Sequence, residues 1–164
     1  MHNGIIENHV ELRRELEHQG VKFASDTDTE IFAHLIHFAM KAGVERLDQA
    51  VRAAIARVRG AYAIAVVHSN LPGELVVAKQ DSPLVIGLGD GEMFAASDIP
   101  ALLAHTRDVV FLQDGDMARL TKAGAEITRI ADGSVVKRDK KRIDWSPTQA
   151  EDRKSTRLNS SHRT

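Results

Sequence analysis

The sequence predicts an α+β fold in which helices cover a largely antiparallel sheet. Three observations carry that expectation. Amphipathic helical stripes fill the first third of the chain, strand-length apolar runs fill most of the rest, and Asp-Gly pairs at Asp90-Gly91 and Asp132-Gly133 stand between those runs as hairpin turns. The chain has 164 residues, 43% of them hydrophobic but only 4% aromatic, so one domain can bury a core and aliphatic side chains must fill it.

The elements follow in order. Residues 2–6 read as a buried strand. Asn8 and Glu11 have capping-box spacing and open a helix with Leu12 and Leu16 on one face, closed at Gly20. Residues 21–24 alternate apolar and polar, a short strand signal. Thr27 and Glu30 repeat the capping-box spacing ahead of a stripe of Ile31, His34, Leu35 and Phe38, which breaks at Gly43. A third helix is expected from about Val44 to Arg59, with Leu47, Val51, Ala54, Ile55 and Val58 on one face. At Ala61 the period changes. Residues 61–67 are almost wholly apolar, as a central strand would be, and residues 74–78 form the next strand. Residues 83–89 and 92–96 flank the Asp90-Gly91 hairpin. Ser97, Asp98 and Pro100 open a short helix reaching about His105. Residues 109–112 and 117–120 are strands around the turn 113–116, and residues 125–130 and 134–137 flank the last hairpin.

Several function classes are disfavoured. Lys plus Arg is 22 and Asp plus Glu is 23, for a net charge of -1, which does not suit a protein built to grip nucleic acid. No apolar run approaches the roughly 20 residues that span a bilayer, and Met1 is not followed by a basic leader, so a cytoplasmic location is expected. There is no cysteine, hence no disulfide, no thiolate metal ligand and no cysteine nucleophile within these residues. No motif requires a cofactor. Gly87, Gly89 and Gly91 lie between strands and match neither dinucleotide nor P-loop fingerprints. His34 and His37 lack the further ligands a metal needs. The basic run 137–142 has no interleaved aromatics and reads as a solvated strand or linker.

Residues 1–143 carry the periodic signals, residues 144–151 read as a linker, and residues 152–164 are expected to be a disordered, non-native tail with almost nothing to bury. The chain also opens abruptly on an apolar strand. A domain incomplete at its N-terminus is the expectation.

Two clusters have the residue types of a site. Asn3-Gly4 is an ordinary turn pair, yet an Asn carboxamide and a Gly N–H can also share one developing oxyanion. Asp26 and Asp28 precede a helix, where carboxylates complement the helix dipole or stand ready for a ligand ammonium.

The run HNGIIENHVELRRELEHQGVKFASDTDTEIFAHLI resembles the second half of the glutaminase domain in the glutamine–fructose-6-phosphate aminotransferase (isomerizing) family, the glucosamine-6-phosphate synthases. RGAYAIAVV, SPLVIGLGDGEMFAASDIPALL and FLQDGDMARL resemble the same domain in the same order, so the resemblance covers about residues 2–151. It implies a class II amidotransferase of the N-terminal-nucleophile hydrolase type, an αββα sandwich, here incomplete at the N-terminus. In that family an N-terminal cysteine thiol attacks the side-chain amide of glutamine, its own α-amine is the base, and an Arg-Trp-Ala-Thr-His-Gly segment binds the substrate carboxylate. The ammonia goes to a sugar-isomerase domain and is joined to fructose 6-phosphate. Asn3 and Gly4 match the oxyanion hole, and Asp28 matches the carboxylate that holds the glutamine α-ammonium. The cysteine, the Arg-Trp-Ala-Thr-His-Gly segment and the isomerase domain have no counterpart in these residues. The resemblance therefore implies an inactive fragment of a homo-oligomeric parent that uses glutamine and fructose 6-phosphate, with no cofactor, nucleic acid or membrane. The alternatives are a fragment of another class II amidotransferase, and a non-enzymatic α+β module that binds an amino acid or a partner.

Overall fold

The computed structural model describes residues 1–144, so the expected tail and all but the first residue of the expected linker lie outside the described residues. The order is β1 (His2–Ile6), α1 (His9–His18), α2 (Thr29–Lys41), α3 (Leu47–Ile55), β2 (Gly60–Val66), β3 (Leu75–Gln80), β4 (Val85–Leu88), β5 (Met93–Ala96), β6 (Asp108–Phe111), β7 (Asp116–Thr121), β8 (Gly124–Arg129) and β9 (Lys140–Arg142). Two antiparallel sheets form among the described residues. One has five strands in the order β1-β2-β3-β7-β8, the other four in the order β5-β4-β6-β9.

Side-chain alternation along the strands builds the layers. On β3, Val76 and Ala78 pack under the helices, while Val77 between them faces the second sheet. Tyr62 and Ile64 on β2 and Met117 on β7 join Leu16, Ile31, Leu35, Leu47 and Val51 in the helix-side core. Ala63, Ala118 and Leu120 meet Ile86 and Val110 between the sheets. Val85 and Val109 point to the far face of the second sheet, where Leu102, Leu103 and Ile143 cover them. The α+β class is thus as the residues predict, and the stacked antiparallel sheets are as the resemblance implies. Among the described residues the far face is covered by turns and not by helix.

The local differences have physical causes. β1 is a strand but not a buried one: it is the edge of its sheet, only Ile6 is buried, and Ile5 is 69% exposed. Residues 21–24 form no strand because their N–H groups are engaged elsewhere, Val21 with Leu16 O and Ala24 with Glu30. α3 is shorter than the stripe suggested, running from Leu47 to Ile55. Residues 97–105 make successive turns rather than a helix. The His105 and Thr106 N–H groups share the Leu102 carbonyl, and a segment this short gains too few bonds to propagate. The strands flanking turn 113–116 do not pair, since β6 and β7 belong to different sheets. The return limb after Asp132-Gly133 makes a single bridge, Thr128 with Val135.

Neither capping box forms. Asn8 turns away from α1 and clasps the chain before β2, donating to Arg57 O and accepting from Arg59 N–H, both at 2.9 Å. Thr27 is not the cap of α2. Asp28 holds that position and sends its carboxylate across to β1.

Candidate active site

The register of β1 decides which of its groups are free. Ala65 N–H bonds Met1 O and Glu7 N–H bonds Arg59 O, so the odd residues exchange hydrogen bonds with β2. The N–H and C=O groups of His2, Gly4 and Ile6 therefore point along the open edge. Gly4 lies opposite Tyr62, and Ile6 lies opposite Gly60. The chains pass so closely here that a Cβ on Gly4 would stand 2.0 Å from Ala61 O, and one on Gly60 would stand 2.1 Å from Ile5 O. Both glycines have positive φ, +132° and +129°.

Asp28 completes this edge. Its Oδ2 accepts the Ile6 N–H at 3.1 Å, and its Oδ1 lies 3.6 Å from His2 Nδ1. His2 is nearly enclosed, with 3% of its side chain exposed. Nδ1 is 3.1 Å from Thr29 Oγ1, and buried Nε2 has no partner among the described residues. Burial lowers the His2 pKa, with the Asp28 charge pulling the other way. A mostly apolar cleft of about 220 Å³ opens beside this pair, lined by His2, Thr29, Phe32, Ile36 and Ile64 among others.

The structure brings Asn3, Gly4 and Asp28 together along the edge strand. The Asn3 side chain shares the face of its cross-strand partner Ala63, is exposed, and has no hydrogen-bond partner among the described residues. Asp26 stands apart, fully exposed, with Arg13 3.9 Å away. Together the three residues offer two unengaged donors, the Asn3 carboxamide and the edge-facing Gly4 N–H, near a fixed carboxylate. That arrangement suits a ligand with an ammonium at one end and a carbonyl at the other.

Sequence reasoning missed Glu30, His2 and His9. Glu30 accepts the N–H groups of Ala24 and Ser25, both at 2.8 Å, and the Ser25 hydroxyl at 2.7 Å. Its spacing to Thr27 was the signal, with the wrong partner. His9 Nδ1 lies 2.9 Å from Ile6 O, so both outward groups of Ile6 are met by side chains. The other motifs settle blandly. No group of three or more potential metal ligands exists among the described residues, and His34 Nε2 lies 3.1 Å from Glu30 Oε1. Met93 and Leu88 pair across the Asp90-Gly91 hairpin. β9 is exposed, and Lys140 and Arg142 both pair with Asp108, at 2.8 and 3.2 Å. No helix among the described residues is long and apolar enough to cross a membrane.

The chain belongs to the glutamine amidotransferase domain family, which matches residues 1–104. Over 151 residues it is 48% identical to the glutamine–fructose-6-phosphate aminotransferase (isomerizing) of Thermococcus kodakarensis and 52% identical to that of Symbiobacterium thermophilum. Each match covers 92% of this chain but 25% and 24% of those relatives, so the chain spans about a quarter of their length. Among solved structures it resembles the glutamine phosphoribosylpyrophosphate amidotransferase of B. subtilis, with a TM-score of 0.69 and 28% identity over 79% of this chain and 28% of that one. An allosteric regulatory enzyme of purine biosynthesis gives a TM-score of 0.65 at 29% identity over 79% of this chain and 27% of that one.

Proposed function

We propose that residues 1–143 are the C-terminal part of a glutamine-hydrolysing domain, and that the parent protein is a cytoplasmic, homo-oligomeric glutamine–fructose-6-phosphate aminotransferase. In this reading glutamine is the nitrogen donor, and the ammonia is delivered for glucosamine 6-phosphate synthesis. Asp28 receives the α-ammonium. Asn3 and Gly4 hold the oxyanion that forms when the side-chain amide is attacked. The attacking thiol belongs to a cysteine, and this chain has none. Alone it binds at most half of the substrate and does not turn it over.

One observation carries the reading: the Asp28 carboxylate is anchored on the Ile6 N–H, two residues along the same edge from Gly4. Two residues of antiparallel strand span about 6.8 Å. That is comparable to the reach of an extended glutamine from its ammonium to its side-chain amide. The test joins a relative's cysteine-bearing N-terminal segment ahead of His2 and measures glutamine hydrolysis. Asp28→Asn replaces a charged acceptor with a neutral one and should lower kcat/KM by roughly 10- to 100-fold, mainly through KM, because the ammonium is not the reacting centre. Asp26→Asn should be mild. The reverse pattern would sink the assignment.

A further inference from the structure

Asp28 reaches β1 because the chain before it is drawn into a closed ring. Glu30, in the first turn of α2, accepts the Ala24 N–H with Oε1, and the Ser25 N–H and hydroxyl with Oε2, closing residues 25–30 on themselves. Inside the ring, Ser25 Oγ lies 2.9 Å from Thr27 Oγ1. His34 Nε2, one turn further along α2, lies 3.1 Å from Glu30 Oε1 and steadies the carboxylate from below. Arg13 ties the ring to α1: its Nη1 donates to Ser25 O at 3.1 Å, and its guanidinium lies over the Phe23 ring. Asp28 is a member of the ring, and its own outward bond to Ile6 N–H leaves in the direction the ring imposes.

We propose that Glu30 is a positioning residue for the glutamine site: by tying Ala24 and Ser25 to the first turn of α2, it sets where Asp28 meets β1. This rests on the reading of Asp28 as the ammonium contact. The chemistry of the ring requires a carboxylate. Four donors, the Ala24 and Ser25 N–H groups, the Ser25 hydroxyl and His34 Nε2, converge on two oxygens, and a carboxylate accepts at both. A glutamine at this position keeps the shape but turns one end into a donor, which then faces an N–H. An aspartate keeps both acceptors but is one methylene too short to reach from the helix. The hydrogen bonds, first that from Ala24 N–H and then that from the Ser25 hydroxyl, hold the Glu30 carboxyl down at about 2, so it stays charged throughout the neutral range.

A purely local role, an acid complementing the start of a helix, would stop at the ring. Positioning extends to Ile6, whose N–H has Asp28 as its partner. Amide hydrogen exchange of the whole chain, followed residue by residue by NMR, separates the two. In Glu30→Gln the amides of Ala24, Ser25 and Ile6 should all exchange about tenfold faster or more relative to Val77 in the sheet interior, whose own change reports the global stability. Asp28→Ala should release Ile6 alone. Ser25→Ala, at an exposed position, removes one donor and should give a smaller release at Ile6. Faster exchange at Ala24 and Ser25 with Ile6 fully protected, in either ring variant, overturns the proposal. The exchange needs no ligand, so failure of the glutamine assignment is seen separately. It would show as hydrolysis by the cysteine-bearing fusion that is indifferent to Asp28→Asn.

Discussion

Asn8 and Arg59 are joined side chain to backbone: the Asn8 carboxamide accepts the Arg59 N–H and donates to Arg57 O, so the start of α1 and the start of β2 are held as one unit. Asn8→Ala removes both bonds and should cost about 1–2 kcal/mol in urea denaturation. Glu11→Gln, which breaks an exposed pair with Arg59 at 3.3 Å, should be nearly silent in the same measurement.

Gly4→Ala should be far worse than Gly43→Ala, although both residues have positive φ. At Gly43 nothing lies within 4 Å of the added Cβ, so the cost is the backbone term of about 1–2 kcal/mol. At Gly4 the Cβ meets the Ala61 carbonyl, and β1 must leave β2 to relieve it. About 3 kcal/mol or more is expected, with loss of protection at the Asn3 and Ile5 amides.

Asp116 is fully buried, and Arg138 grips it with two bonds of 2.7 and 2.8 Å. Burial pushes the carboxyl up, but the Arg138 fork, the Gln113 N–H and nearby cations together bring it below its usual value. Its stabilisation is therefore full above the ordinary carboxylate range and lost as pH falls through the lowered value. Arg138→Met strands a buried charge and should cost about 3–5 kcal/mol at pH 7. The deficit should shrink in acid as Asp116 takes up a proton, which melts recorded from pH 7 to pH 3 would show.

The Glu30 ring should have the same sign of pH dependence. Its carboxyl titrates at about 2 when folded, against 4.5 ordinarily. The stability difference between wild type and Glu30→Gln should be flat above pH 5, narrow below pH 4.5 and vanish near pH 2. A difference that grew on acidification would mean the carboxylate is strained and not held.

The chain as it stands should release no glutamate from glutamine, since it has no cysteine to form the acyl intermediate. Joined behind a cysteine-bearing segment, Asn3→Ala should lower kcat by about 100-fold with little change in KM, the signature of a lost oxyanion donor.

Much of this architecture was legible. Val76, Val77 and Ala78 are apolar in succession because β3 is covered on both faces, and Leu12 and Leu16 mark the buried side of α1. What escaped was long-range. The turn 113–116 looks like a hairpin locally, and nothing in those residues says that the strands on either side enter different sheets. Asn8 and Asp28 carry the chemistry of helix caps, yet each spends it on chain that folds beside it from far away, 51 and 22 residues off. The proposed site residues Asn3, Gly4 and Asp28 emerged from resemblance to a family. Their spacing alone left turn and helix-mouth readings open.

The two side chains that meet Ile6 also occupy part of an open sheet edge. An edge strand is a template on which another chain can crystallise a sheet, and proteins commonly blunt such edges with lysine or proline. Here Asp28 takes the outward N–H and His9 the outward C=O of the same residue. An incoming strand finds only His2 and Gly4 to pair with, shorter than the run that sustains a stable ladder. The carboxylate proposed to receive the substrate thus also guards the β1 edge of the sheet, and Asp28→Ala should make this edge stickier.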